Sequence, residues 1–157
     1  MEDLVQADLR AATTGFTGTG RGMTQGQKDT LAFTLDILYQ KGFRRFRHGD
    51  CIGADEQAAC IAKDVGFYLI CHPGHPKDPN ETKYRAFTNF NDEVLESFPF
   101  LKRDQHIVDG SGVLVAAPYQ DYEVRRSGTW TTVRYARSKG TEVMMIYSGR
   151  KYQQRGA

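Results

Sequence analysis

The chain has 157 residues, 39% apolar and 25% charged, which suits one globular domain with a full core. Its formal net charge of +2 is too small to point to nucleic acid, so nucleic acid is not the expected partner. No apolar run approaches the roughly 18 residues of a membrane span, so no membrane partner is expected.

The opening Met1-Glu2-Asp3-Leu4 is acidic and lacks an apolar h-region, so no secretory signal is expected. Three cysteines, an odd number set beside apolar stretches, favour a reducing, cytoplasmic setting over a disulfide scaffold. The domain is expected to occupy residues 1–157, with its core over about 13–147. The basic end, residues 148–157, reads as a solvated tail.

Along the chain, strand and helix patterns alternate. Residues 13–17 read as a short first strand. A helix follows near Thr24, where Thr24-Gln25-Gly26-Gln27 fits a capping box. Leu31, Leu35 and Leu38 then mark one buried face, and Gly42 ends the helix. Residues 44–48 alternate as a polar strand with one solvated face. That alternation outweighs the resemblance of Phe43-Arg44-Arg45-Phe46-Arg47 to a nucleic-acid patch. A helix from Ala54 carries Ala58, Ala62 and Val65 and stops at Gly66. Residues 67–71 form a third strand.

Residues 72–90 hold three of the five prolines and read as a long loop of the kind that forms lids. Helical sequence is expected near Asp92 and again over 101–109. Val113-Leu114-Val115-Ala116-Ala117 has no alternation, as in a parallel strand buried on both faces. The pattern predicts a helix over 129–139 and a last strand over 142–147. Repeated strand–helix–strand units give an α/β, Rossmann-like three-layer fold with a mostly parallel sheet of about five strands.

Three small-residue turns follow strands and lead into helices. They are Thr17-Gly18-Thr19-Gly20-Arg21-Gly22 with Met23, then His48-Gly49-Asp50-Cys51-Ile52-Gly53-Ala54-Asp55, then Ser127-Gly128-Thr129-Trp130. A helix N-terminus offers free amides and partial positive charge to an anion such as phosphate. Arg21 adds a fork of donors to the first turn. In the second, Asp50 suits ribose hydroxyls or an Asx turn, and Asp55 the ligand or the helix's first turn. In the third, Trp130 suits a stacked base or the core.

Cys71-His72-Pro73-Gly74-His75 lacks a second Cys/His pair, so a metal is not expected. A Cys51–His48 nucleophile remains a minor option, since a helix start lowers a thiol pKa.

The ordered set Gly15-Phe16-Thr17-Gly18-Thr19-Gly20, His48 to Asp55, Arg103-Asp104-Gln105-His106-Ile107-Val108-Asp109 and Gly128 to Ala136 resembles the SLOG superfamily of Rossmann-like proteins. The resemblance is closest to small bacterial and phage SLOG proteins of the YspA type, related to the LOG phosphoribohydrolases and DprA. It implies a nucleotide-related pocket and assembly into homo-oligomers. It also implies that Arg103, on the helix before the fourth strand, faces the ligand. The phosphoribohydrolases carry Gly-Gly-x-Gly-Thr-x-x-Glu, whose glutamate takes part in glycosidic cleavage. Here Thr131 and Thr132 stand at the acidic positions, and a threonine is no general acid at neutral pH.

The expected function is therefore binding without cleavage and without a cofactor. The ligand is a small nucleotide derivative, ADP-ribose-like or a cyclic-nucleotide signal, held for sensing or sequestration, including phage sequestration of a host signal. The alternative is a nucleotide-cleaving N-glycosidase using Asp50, Asp55 or Glu123. A DNA-binding protein of the DprA kind is a third reading. Exposed apolar residues such as Phe87, Phe90, Phe98 and Phe100 are expected to need cover from a second copy.

Overall fold

The computed structural model describes residues 2–150; most of the basic tail, residues 151–157, lies outside the described residues. The elements run α1 (Glu2–Ala11), β1 (Thr13–Gly18), α2 (Gln25–Gln40), β2 (Arg45–His48), α3 (Ala54–Val65) and β3 (Tyr68–Cys71). Then come β4 (Gly74–His75), β5 (Glu93–Val94), β6 (Phe98–Pro99), α4 (Phe100–Asp109), β7 (Val113–Ala117), α5 (Gly128–Ser138) and β8 (Glu142–Met145).

Six strands form one sheet in the order β5-β3-β2-β1-β7-β8, with every pairing parallel. β4 and β6 make a separate parallel pair. The chain winds outward from β1 through β2 to β3, then returns to the other side of β1 with β7. The strand order therefore reverses between β1 and β7, where ligands bind in open α/β sheets.

Two cores flank the sheet. On one face, α2 contributes Leu31, Leu35 and Leu38, and α3 contributes Ala54, Ala58, Ala59 and Ala62. They pack on Phe16, Phe46, Leu69, Val113, Val115 and Ala117. On the other face, Trp130, Val133 and Ala136 of α5 and Val108 of α4 pack on Leu114 and Ala116. β7 thus sends alternate residues into both cores, which is why its sequence shows no alternation.

Local chemistry sets the helix ends. The Thr24–Gln27 capping box opens α2, and the buried Gln27 amide donates to the Pro118 and Ile146 carbonyls, tying α2 to the ends of β7 and β8. Gly66 adopts the left-handed conformation that closes α3.

The helix expected near Asp92 is instead β5, a two-residue strand paired with Ile70 and Cys71 of β3. The Asp92 amide and carboxylate both bond the backbone of Leu69, which fixes the segment to the sheet edge. α1 has no counterpart in the sequence reading. Its Val5 is 57% exposed, so that position adds nothing to a buried stripe.

Candidate functional site

β1 and β7 end side by side, with Gly18 opposite Ala117 and the Thr19 amide on the Ala117 carbonyl. The first and third turns therefore leave the sheet as neighbours. Between them lies a polar cavity of about 430 Å³, lined by Gly18, Thr19, Gly20, Arg21, Tyr119, Gln120, Val124, Arg126 and the α5 start at Ser127, Gly128 and Thr129. The Ser127 hydroxyl caps α5 by accepting from the Trp130 amide at 3.2 Å. No described group accepts from the Gly128 and Thr129 amides, which stand at the positive end of the helix dipole. The Arg21 guanidinium lies 4.5 Å over the Tyr119 ring, which holds its charge beside the cavity. Arg126 adds a second cation that motif reading did not select.

A larger cavity of about 520 Å³ opens from the same place, sharing Gly18, Gly20, Gly128 and Thr129 with the polar one. Away from that junction its walls are Phe16, Ile52, Tyr84, Phe100 and Ile107, with Cys51, Asp55, Arg103 and Asp104 among them. Tyr84 and Phe100 meet edge to face, with ring centroids 6.0 Å apart. Motif spacing could not select Tyr84 or Phe100, because each arrives from a segment outside the three turns; Ile52 lies within the second turn.

The second turn serves another purpose than the anion cradle expected of it. The α3 start is bonded inward: the Ala54 amide donates to the Thr19 carbonyl and the Cys51 amide to Asp55 Oδ2. Acidic Asp55 and Glu56 occupy the first turn of α3, which further disfavours an anion there. Gly53 has φ +96°, and a Cβ on it would fall 2.4 Å from the Gly20 carbonyl oxygen. Gly53 thus lets the second turn support the first. Ala54 is fully buried in the core.

Arg103 is 5% exposed and lies at the wall of the larger cavity. Its Nε donates to Asp104 at 2.6 Å, its Nη1 to the carbonyls of Gly49 and His72, and its Nη2 to Cys51 Sγ at 3.4 Å. A Cβ at Gly49 would fall 2.7 Å from the guanidinium, so this glycine is the seat of Arg103 rather than a ligand contact. Burial raises the Asp55 pKa to about 6, partly offset by Arg103. Burial also raises the Asp104 pKa, with Arg103 again opposing.

Asp50, with φ +55°, is turned away from both cavities. Its carboxylate accepts from Arg85 Nε at 3.1 Å, the Thr88 amide at 3.1 Å and Thr88 Oγ1 at 2.7 Å. It therefore clamps the segment 82–91, and the ribose contact expected of it is not what its oxygens make. The Ile52 amide on the Tyr84 carbonyl and the Ala86 amide on the Asp50 carbonyl complete the attachment. That clamp fixes Tyr84 as a wall of the larger cavity.

His48, Asp50 and Cys71 lie close enough to suggest a buried metal site. His48 Nδ1 accepts from the Asp50 amide, its Nε2 bonds Asn91 Oδ1 at 2.6 Å, and the Asp50 oxygens are taken by Arg85 and Thr88. The cluster is a hydrogen-bonded pin. The Cys51 nucleophile also fails: burial and Asp55 push its thiol up to about 12, opposite to activation, and His48 is turned to Asn91.

Several expected contacts lie elsewhere. Trp130 is 4% exposed, with its ring in the core and its indole N–H donating to the Gln120 carbonyl, so it offers no face to a base. Met23 is a core residue, and Gly22 packs against Gln57. Glu123 pairs with Arg134 at 3.1 Å. Of the three carboxylates considered for cleavage, only Asp55 reaches the cavity. Among the phenylalanines expected to need cover, Phe90 packs on the core, Phe98 stands edge-on to His106 and Phe100 lines the cavity; Phe87 stays 55% exposed.

No protein family and no curated protein matches the sequence. Solved structures do match. The molybdenum cofactor binding protein from the phototrophic bacterium Rippkaea orientalis superposes with a TM-score of 0.63 at 18% identity, over 86% of this chain and 76% of that one. The molybdenum cofactor carrier protein from Chlamydomonas reinhardtii gives a TM-score of 0.58 at 18% identity, over 85% of this chain and 74% of that one. DprA, DNA processing protein A from Streptococcus pneumoniae, gives 0.63 at 19% identity over 85% of this chain, which spans about half (49%) of the DprA chain. These likenesses show a shared α/β, Rossmann-like fold, the fold class expected from the alternating strands and helices. The DNA processing protein DprA shares this fold, so the expectation against nucleic acid rests on the small net charge of +2 and gains nothing from the fold. No helix among the described residues is long and apolar enough to cross a membrane.

Proposed function

We propose that the chain binds a small phosphorylated heterocycle of the nucleotide kind, with its phosphate in the polar cavity and its ring in the larger one. The observation that carries this reading is the junction at Gly18, Gly20, Gly128 and Thr129, where an aromatic-walled cavity opens onto a helix N-terminus flanked by Arg21 and Arg126. The volume of the larger cavity lies in the range of small-molecule sites. Neighbours of the same fold whose names describe them as molybdenum cofactor binding and carrier proteins agree with a small-molecule ligand. Thr131 and Thr132 return their hydroxyls to the carbonyls of Ser127 and Gly128, so they support the helix and bring no proton-transfer group. The ligand is held for sensing or sequestration. Native mass spectrometry of the protein as purified, followed by denaturation, tests this. A released phosphorylated heterocycle is expected. A protein that carries none, and that takes up none from a panel of nucleoside mono- and diphosphates, contradicts it.

One observation favours cleavage as a second reading: Asp55 lies in the cavity with its pKa raised to about 6, a value suited to a general acid. Chromatographic detection of free base from nucleoside monophosphates, abolished in Asp55→Asn, would replace holding by hydrolysis.

A further inference from the structure

We propose that the inner end of the larger cavity reads a hydrogen-bond-donating ring edge, the 2-amino-4-oxopyrimidine edge shared by guanine and pterin, with the Asp55 carboxylate as acceptor. This rests on the binding reading above and names its ring. The residues that the larger cavity does not share with the phosphate cradle include Cys51, Asp55, Tyr84, Phe100, Arg103 and Asp104. A ring held in this cavity beside a phosphate on α5 therefore has these groups as its walls.

Asp55 is 7% exposed and is held by the start of α3. Its Oδ2 accepts from the Cys51 amide at 3.2 Å and the Cys51 thiol lies beside the carboxylate, while no N–H or O–H of the described residues reaches its Oδ1. A buried carboxylate with an open oxygen calls for donors, because an ionised carboxylate only accepts. The pKa of about 6 leaves Asp55 ionised at neutral pH.

Arg103 brings little contrary preference for an acceptor edge, since Asp104, two backbone carbonyls and Cys51 already occupy four of its five N–H donors. Guanine and pterin present a ring N–H and an exocyclic amine side by side, which match the two oxygens of a carboxylate. Hypoxanthine keeps the ring N–H and lacks the amine. Adenine offers one donor beside an acceptor that would face the carboxylate.

Titration calorimetry of the full chain with GMP, IMP, AMP and neopterin phosphate tests this. GMP is expected to bind at least about tenfold more tightly than IMP, the effect of one hydrogen bond to a charged group. AMP is expected to be weaker still. Asp55→Asn is expected to bring the GMP to IMP ratio within about twofold, with its circular dichroism unchanged. Tighter binding of neopterin phosphate than of GMP identifies the ring as pterin, and the reverse order as guanine. Equal affinity for GMP and IMP, or for GMP and AMP, overturns the proposal while leaving the binding reading intact. An unchanged ratio in Asp55→Asn also overturns it. Absence of binding by all four ligands removes the binding reading itself. The wild-type ratio needs no variant, so a misfolded Asp55→Asn leaves the test standing.

Discussion

At the scale of single residues, burial decides which charged groups matter. Asp55 has its pKa raised from 3.8 to about 6, so between those values the folded protein binds a proton more readily than the unfolded chain. Its contribution to stability therefore falls as pH rises through that window and is level above it. His72 acts in the opposite sense. Burial and Arg47 lower its pKa from 6.5 to about 3, so its contribution is complete above pH 6.5 and is lost as pH falls. Asp55→Asn removes the first effect alone. Its urea-unfolding stability relative to wild type should climb between pH 4 and pH 6, by up to about 3 kcal/mol; a difference that stays flat across that range would refute the Asp55 assignment. Gly53 is the residue where backbone decides. With φ +96° and 2.4 Å between an added Cβ and the Gly20 carbonyl, Gly53→Ala should lower stability by about 2 kcal/mol or more in denaturant melts.

At the scale of elements, the sequence shows its helices best where caps and apolar spacing agree. Thr24, Leu31, Leu35, Leu38 and Gly42 mark α2, and the unbroken apolar run marks β7. β5 escapes because two residues make no period, and its pairing is fixed by Asp92 bonding to Leu69, a contact across the sheet. The site divides in the same way. The first and third turns are legible because glycines and a helix start are local signals. The second turn has the same residue types, but its Ala54 amide and Asp50 carboxylate are spent on Thr19, Arg85 and Thr88, which no local pattern reveals. Nor does spacing announce Tyr84, which reaches the cavity because Asp50 clamps the segment behind it. Asp50→Asn removes the charge that Arg85 pairs with and, with its amide oxygen kept on Thr88, sets an NH2 donor against the Arg85 guanidinium. Limited trypsin digestion should then cut after Lys83 and Arg85 markedly faster than in wild type; equal rates would mean that the clamp does not hold the segment.

At the scale of the whole molecule, the reversal of strand order between β1 and β7 creates the crevice, and both cavities open there. The molybdenum cofactor carrier protein and DprA share this fold, and a shared fold leaves function to the residues that line the site. The lining here sets Arg21 and Arg126 beside the α5 start and aromatic rings with Asp55, Arg103 and Asp104 around the larger cavity, a polarity that suits a phosphorylated ring. Titration calorimetry with GMP and its unphosphorylated counterpart guanosine, on wild type and on Arg21→Ala/Arg126→Ala, tests that polarity most directly. GMP should bind wild type at least about tenfold more tightly than guanosine, and the double variant should lose most of that advantage, since each charge-assisted hydrogen bond to phosphate contributes about 1.5–3 kcal/mol. Equal affinities for GMP and guanosine, or a double variant that keeps the wild-type preference, would contradict phosphate binding at the α5 terminus.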